Sequence, residues 1–153
     1  MPSFNIVCNA SNTLAITGSF KGGGRVTLQT LDSTNAAQQW QGFFQIADGW
    51  LGTAFVITDN SGNLWSVTSN GTGNQLVMQS FEFNSGDRDS WLLADLQDGG
   101  ICRMQYPADF NWSWNDFGGG FLPGDKVGLY SDTNNNSLWQ IINFIDAPFK
   151  PKA

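Results

Sequence analysis

The chain is poor in groups that carry out covalent chemistry. None of its 153 residues is a histidine, which removes the Ser-His and Cys-His nucleophile pairs, the commonest general base and every His-liganded metal site. Two cysteines, Cys8 and Cys102, lie far apart without metal or redox spacing and read as free, packed thiols. The aspartate pairs Asp87/Asp89 and Asp95/Asp98 could in principle run glycosidic chemistry. Nothing in the sequence raises one partner's proton affinity, however, and exposed pairs of this kind are common on turns. Asp132-Thr-Asn134-Asn-Asn136 resembles the opening of a calcium loop, but Ser137 stands where the glycine belongs and Asn143 where the closing glutamate belongs. The triplets Gly22-Gly-Gly24 and Gly118-Gly-Gly120 lack the Lys-Ser/Thr of a phosphate-binding loop and supply backbone freedom in hairpins. The expectation is a protein without catalysis, cofactor or metal.

Thirteen acidic residues, of which only Glu82 is a glutamate, face seven basic ones, giving a net charge of −6. A nucleic-acid or heparin partner needs a basic stripe, so neither is expected. Charged residues are 13% of the chain, about half of the roughly 25% in an average domain, and eighteen glycines with many Asn, Ser, Thr and Gln fill the difference. Such a composition predicts short strands and many turns. The greasiest stretch, residues 42–57, is broken by Gln45, Asp48, Gly49, Gly52 and Thr53, so no membrane insertion is expected. The N-terminal run MPSFNIVCNASN has no basic start followed by an apolar segment. The expected location is cytoplasmic as synthesised, with any release by a non-classical route. Asn-x-Ser/Thr triplets at Asn9, Asn70, Asn111 and Asn135 then read as turn chemistry.

The elements that would position a site emerge from internal repetition. Arg25-Val-Thr-Leu-Gln-Thr, Gln75-Leu-Val-Met-Gln-Ser and Lys126-Val-Gly-Leu-Tyr-Ser share one pattern and recur after 50 and 51 residues. A tryptophan follows each at 15, 16 and 13 residues, namely Trp40, Trp91 and Trp139, and opens a further strand-like run. Upstream, each copy carries two more short runs: FNIVC and TLAIT, FVIT and LWSV, ICRMQY and NWSW. Four strands per repeat and twelve in all are therefore expected, in repeats spanning about 3–48, 49–98 and 99–146 of a single domain (1–153), with an extended tail at 147–153. A propeller needs at least about four blades, which leaves a closed barrel capped by three hairpins. In the third strand of each copy Val26, Leu28, Leu76, Met78, Val127 and Leu129 alternate onto one face, and the repeat tryptophans should anchor the core beneath them.

The first repeat ends in Gln38-Gln39-Trp40, a Q-x-W, after Leu14-Ala-Ile16 and Val26-Thr-Leu-Gln29. Together with the matching strands of the other two repeats, this resembles the ricin-B-type (R-type) β-trefoil lectins. The resemblance covers residues 3–146, although the other triplets read Asp89-Ser90-Trp91 and Ser137-Leu138-Trp139. It implies an all-β fold, a β-trefoil, and sugar binding, frequently of galactose or N-acetylgalactosamine, with glycans or glycoproteins as partners; useful avidity would then come from a homodimer or from a second site in the chain. A β-trefoil can equally serve as a protein-interaction or protease-inhibitor module, presenting a loop such as residues 116–123 after loss of sugar binding.

The resemblance also implies where a sugar would sit. Sites of that family combine an aspartate near the start of a repeat's second strand, an aromatic platform ending the third, and an asparagine just before the Q-x-W. The ring covers the apolar face of the sugar while carboxylate and amide fix its hydroxyls. Repeat one has Ala15, Gln29 and Ala37 at these places, and repeat two has Ser66, Gln79 and Arg88; Arg88 either donates to a sugar hydroxyl or pairs in solvent with Asp87 and Asp89, the pairing being the favoured reading. Repeat three comes nearest, with Tyr130 as platform and Asn136 three residues before Trp139. Strict register puts Ser113 at the aspartate position; Asp116, fourteen residues before Tyr130, serves if the longer loop at 117–124 shifts the turn. The expected sugar-binding set is Asp116, Tyr130 and Asn136, together with Trp114.

Overall fold

The computed structural model describes residues 3–47, 49–82, 88–131 and 134–145. Twelve strands follow one another: β1 (Ser3–Cys8), β2 (Leu14–Thr17), β3 (Thr27–Thr30), β4 (Gln41–Ala47), β5 (Trp50–Thr58), β6 (Leu64–Thr68), β7 (Val77–Ser80), β8 (Leu92–Gln97), β9 (Ile101–Tyr106), β10 (Asp109–Asp116), β11 (Val127–Tyr130) and β12 (Trp139–Ile145). Two single 3-10 turns, Ala36–Gln38 and Asn135–Ser137, precede β4 and β12. Every ladder is antiparallel. One sheet runs β11-β10-β9-β12-β1-β2-β3 with β8 also on β9, and the other runs β4-β5-β6-β7.

The internal threefold is written in hydrogen bonds. The indoles of Trp40, Trp91 and Trp139 donate to the carbonyls of Ile16, Val67 and Trp114, each at 3.1 Å. Each tryptophan also bridges to the opening strand of its own repeat, Trp40 to Phe4, Trp91 to Thr53 and Trp139 to Cys102. All three rings are fully buried, so each removes on the order of 150–250 Å² of aromatic surface from water and its one polar atom is satisfied.

The other end of the barrel is closed by the hairpins that join the second and third strands of each repeat. Val26 N–H donates to Leu76 O at 3.0 Å, Leu76 N–H to Val127 O at 2.9 Å, and Val127 N–H to Val26 O at 3.2 Å, a closed ring of three bonds. Just before it, Gly23, Gly73 and Gly124 take φ of 76°, 80° and 91°, a region that disfavours a side chain. Their N–H groups donate to Met78, Leu129 and Leu28 of the next repeat. The alternating residues Val26, Leu28, Leu76, Met78, Val127 and Leu129 are all fully buried. Three equivalent four-stranded units around one core make this a β-trefoil, as the repeat pattern predicts.

Both cysteines are free and buried. They flank Trp139 from neighbouring strands, since Trp139 pairs with Cys8 on β1 and with Cys102 on β9. Burial pushes the Cys8 thiol up to about 12, helped by the charges of Asp116 and Asp125, and the Cys102 thiol up to about 11, so neither is a nucleophile at neutral pH. No helix among the described residues is long and apolar enough to cross a membrane.

Candidate functional site

Strand register decides which side chains meet. Residues directly opposite in an antiparallel pair share a face of the sheet. In the three repeats Ala15 lies opposite Gln29, Ser66 opposite Gln79 and Ser113 opposite Tyr130. These are the same position seen three times, so the strict alignment onto Ser113 is the structural one. On β10 and β11 the outward face continues with Asn115 opposite Gly128, while Trp114 opposite Leu129 and Asp116 opposite Val127 face inward.

Two expectations are thereby corrected. Trp114 is fully buried, 5.4 Å from the ring of Trp91 and 5.3 Å from that of Phe55, both edge-on, and is a core residue rather than a sugar contact. Asp116 is also fully buried. It lies an odd number of residues from Ser113, which in a strand means the opposite face. Its Oδ2 accepts the Phe121 N–H at 2.8 Å and so ties down the loop after β10; it does not reach a sugar. Burial, with the Asp125 carboxylate adding to it and the Phe121 bond opposing, lifts the Asp116 carboxyl to about 6.

Tyr130 and Asn136 do come together. With Asn115, Phe117, Gly118 and, from the preceding repeat, Gly73, they line a cleft of about 430 Å³, inside the roughly 300–1,000 Å³ range of small-molecule sites. The Tyr130 ring is 51% exposed, as a stacking face must be. Asn115 is 2% exposed and its Nδ2 meets no acceptor among the described residues, an unsatisfied donor at the floor of the cleft. Sequence reasoning passed over Asn115, although its place two residues beyond Ser113 carries it back to the same face. Phe117 was likewise missed, and its signal is a glycine: a methyl group on Gly128 would overlap the Phe117 ring and stand 2.5 Å from Asn74 O. Elsewhere this position carries Thr27 and Val77, so the third repeat alone can lay an aromatic ring there.

Asn136 is held from behind. It sits in the 3-10 turn Asn135–Ser137, where its N–H donates to Asn134 Oδ1 at 2.9 Å. Arg103 on β9, 9% exposed, donates from Nη1 to Asn134 O at 3.1 Å and to Ser137 Oγ, and from Nε to Asp95 Oδ2 at 2.9 Å. The first repeat solves the same problem with the glutamine of its Q-x-W. There Gln38 donates to Thr17 Oγ1 and Thr30 O, both at 3.1 Å, and accepts from Asp32 N–H at 2.9 Å. The second repeat uses Asp89, which accepts from Gln45 Nε2 at 2.9 Å and Ser66 Oγ at 3.2 Å. Asp89 is fully buried, so the solvated Arg88–Asp89 pairing expected from sequence is corrected: Arg88, 3.6 Å away, reaches a carboxylate that belongs to the interior. One polar knot is thus built in three ways, and only the first uses the glutamine of the triplet.

The other candidates resolve simply. Asp95 is engaged by Arg103, and Asp87, Asp132 and Thr133 lie outside the described residues, and with them the start of the calcium-like segment. Among the described residues no three His, Cys, Asp or Glu side chains gather as a metal would require.

The sequence matches no protein-family model and no curated protein. Solved structures of the same fold do match. A designed threefold-symmetric protein, ThreeFoil, superposes with a TM-score of 0.70 at 20% identity, over 92% of this chain and 98% of that one. The ricin B-like lectin of Macrolepiota procera, solved with lactose, gives 0.61 at 19% identity over 91% and 93%. The C-half of an earthworm R-type lectin, solved with GalNAc, gives 0.61 at 11% over 92% and 98%.

Proposed function

We propose that this β-trefoil is a lectin that binds glycans at the Tyr130 cleft without catalysis. The observation that carries the reading is the meeting of an exposed tyrosine ring with two amides, Asn115 and Asn136, in one cleft. A ring takes the apolar C–H face of a sugar, and amides both donate to and accept from its hydroxyls. The unsatisfied Asn115 Nδ2 gains a partner when a hydroxyl arrives, which favours a polar over an apolar ligand. Galactose and N-acetylgalactosamine are the sugars proposed, supported by the ligands of the two similar lectins. A shallow site of this size should hold a monosaccharide at about 0.1–1 mM, roughly −4 to −5.5 kcal/mol. Cell-surface avidity then requires more than one site per particle.

Titration of ¹⁵N-labelled protein with galactose or N-acetylgalactosamine tests this. Shifts should centre on Asn115, Tyr130 and Asn136, and Asn115→Ala should weaken binding by about 1–2 kcal/mol. Shifts confined to other surfaces, or none at tens of millimolar sugar, would sink the reading.

One observation favours the interaction module as a second reading. Phe44, Ile46 and Leu51 are 75%, 69% and 66% exposed, and Ile46 lies directly opposite Leu51 on the β4–β5 hairpin. An apolar face of this kind is a common docking surface. A chain that stays monomeric at high concentration, and sheds no apparent mass when Ile46→Lys is introduced, speaks against self-association there.

A further inference from the structure

The threefold places a second cleft where the second repeat meets the first, and its chemistry differs. Gly23 and Gln79 line it as Gly73 and Tyr130 line the cleft described above, with a similar volume of about 430 Å³. Gly23 N–H donates to Met78 O as Gly73 N–H does to Leu129 O, which fixes the correspondence. By the same register Asn70 replaces Phe117, so both aromatic walls have become amides. Asn74 and Gln75 add two more, and among the described residues no carboxylate lines the cleft.

Into this amide-walled space reaches a cation, Arg25 of the first repeat. It is placed rather than free to sweep. Gln75, 8% exposed, donates from Nε2 to Val26 O at 2.8 Å and with its Oε1 accepts Arg25 Nη1 at 3.3 Å. Asn74 is likewise set by its bond from Nδ2 to Asn70 O at 2.7 Å. A guanidinium carries five donors in a planar fork matched to a carboxylate or sulfate, so one bond to Gln75 leaves it able to bind an oxyanion. The surrounding amides suit hydroxyls, and the space exceeds what a bare inorganic anion fills.

We infer that the Arg25–Gln79 cleft binds a saccharide bearing one anionic group, a uronic-acid or sulfated sugar, with Arg25 on the anion and the amides on the hydroxyls. This rests on and extends the glycan reading, adding a second site of different specificity to the same chain.

The test is an NMR titration with glucuronate, its neutral methyl ester, inorganic sulfate and galactose, in the wild type, Arg25→Gln and Tyr130→Ala. Glucuronate should move the amides of Gly23, Asn74 and Gln79 in the wild type and in Tyr130→Ala. Arg25→Gln, or the methyl ester, should weaken that response roughly tenfold or more. Added salt should weaken it as well. No glucuronate response at these amides, or an equal one in Arg25→Gln, overturns the inference while leaving a galactose response at Tyr130 to stand on its own. A glucuronate response with galactose silent supports the inference and overturns the Tyr130 reading instead. Equal binding of inorganic sulfate overturns the saccharide assignment.

Discussion

Gly119 and Asn136 share one small volume: a methyl group built on Gly119 would stand 2.6 Å from Asn136 Nδ2 and 3.1 Å from its Oδ1. The glycine-rich loop after β10 therefore does more than turn the chain. It opens the space in which the cleft's second amide rests.

Gly119→Ala should accordingly displace Asn136. Its φ of 63° adds the strain of a left-handed backbone, about 1–2 kcal/mol for a residue with a side chain. Gly62→Ala is the control, with a φ of 83°, no atom within 4 Å of the added methyl and no place in the lining of the cleft. Both variants should lose similar stability in urea, and only Gly119→Ala should also lose the galactose response. Equal binding by the two would mean that Asn136 takes no part.

Tyr130→Ala should abolish the galactose response with stability unchanged within about 0.5 kcal/mol, because the ring is half exposed and covers little of the core. Chemical denaturation beside the sugar titration separates the two effects. Retained binding would place the site elsewhere on the molecule.

Trp114→Ala tests the corrected assignment. Between Trp91 and Phe55 the ring is part of the core, so truncation should cost about 3–5 kcal/mol, as should Trp40→Ala. A stable Trp114→Ala that had merely lost sugar binding would return the residue to the ligand set.

Asp116 makes stability depend on pH. Its carboxyl is raised from 3.8 to about 6 in the fold, so between those values the folded protein holds a proton that the unfolded chain has released. Stability should fall as pH rises across this window and level off above it. Asp116→Asn keeps an acceptor for the Phe121 N–H but cannot ionise, so it should flatten the window and melt higher than the wild type at pH 7. Melting curves of the two proteins across the window decide the matter; parallel pH dependence would show that another group titrates there.

The fold was legible because its signal is local and repeated. The third-strand pattern of Arg25, Gln75 and Lys126 and the tryptophans that follow each need only chain order to be seen, and alternation says which residues face the core. The outward place of Tyr130 was legible for the same reason, while Asn136 was pointed to by the resemblance to the R-type lectins, whose sites carry an amide just before the Q-x-W.

What chain order by itself determined is therefore the twelve-stranded threefold frame, the buried tryptophans and one outward aromatic ring. Tertiary structure decided the rest of the cleft, because a one-residue change of parity reverses the face of a strand. Register sent Asp116 and Trp114 inward and kept Asn115 outward. Contacts across repeats decided what no single repeat encodes, Gly73 closing the third cleft and Arg25 entering the second, and a long-range contact inside the third repeat set Arg103 in place of the missing glutamine behind Asn136. Each joins residues far apart in the chain, which only the closing of the barrel brings within hydrogen-bonding reach.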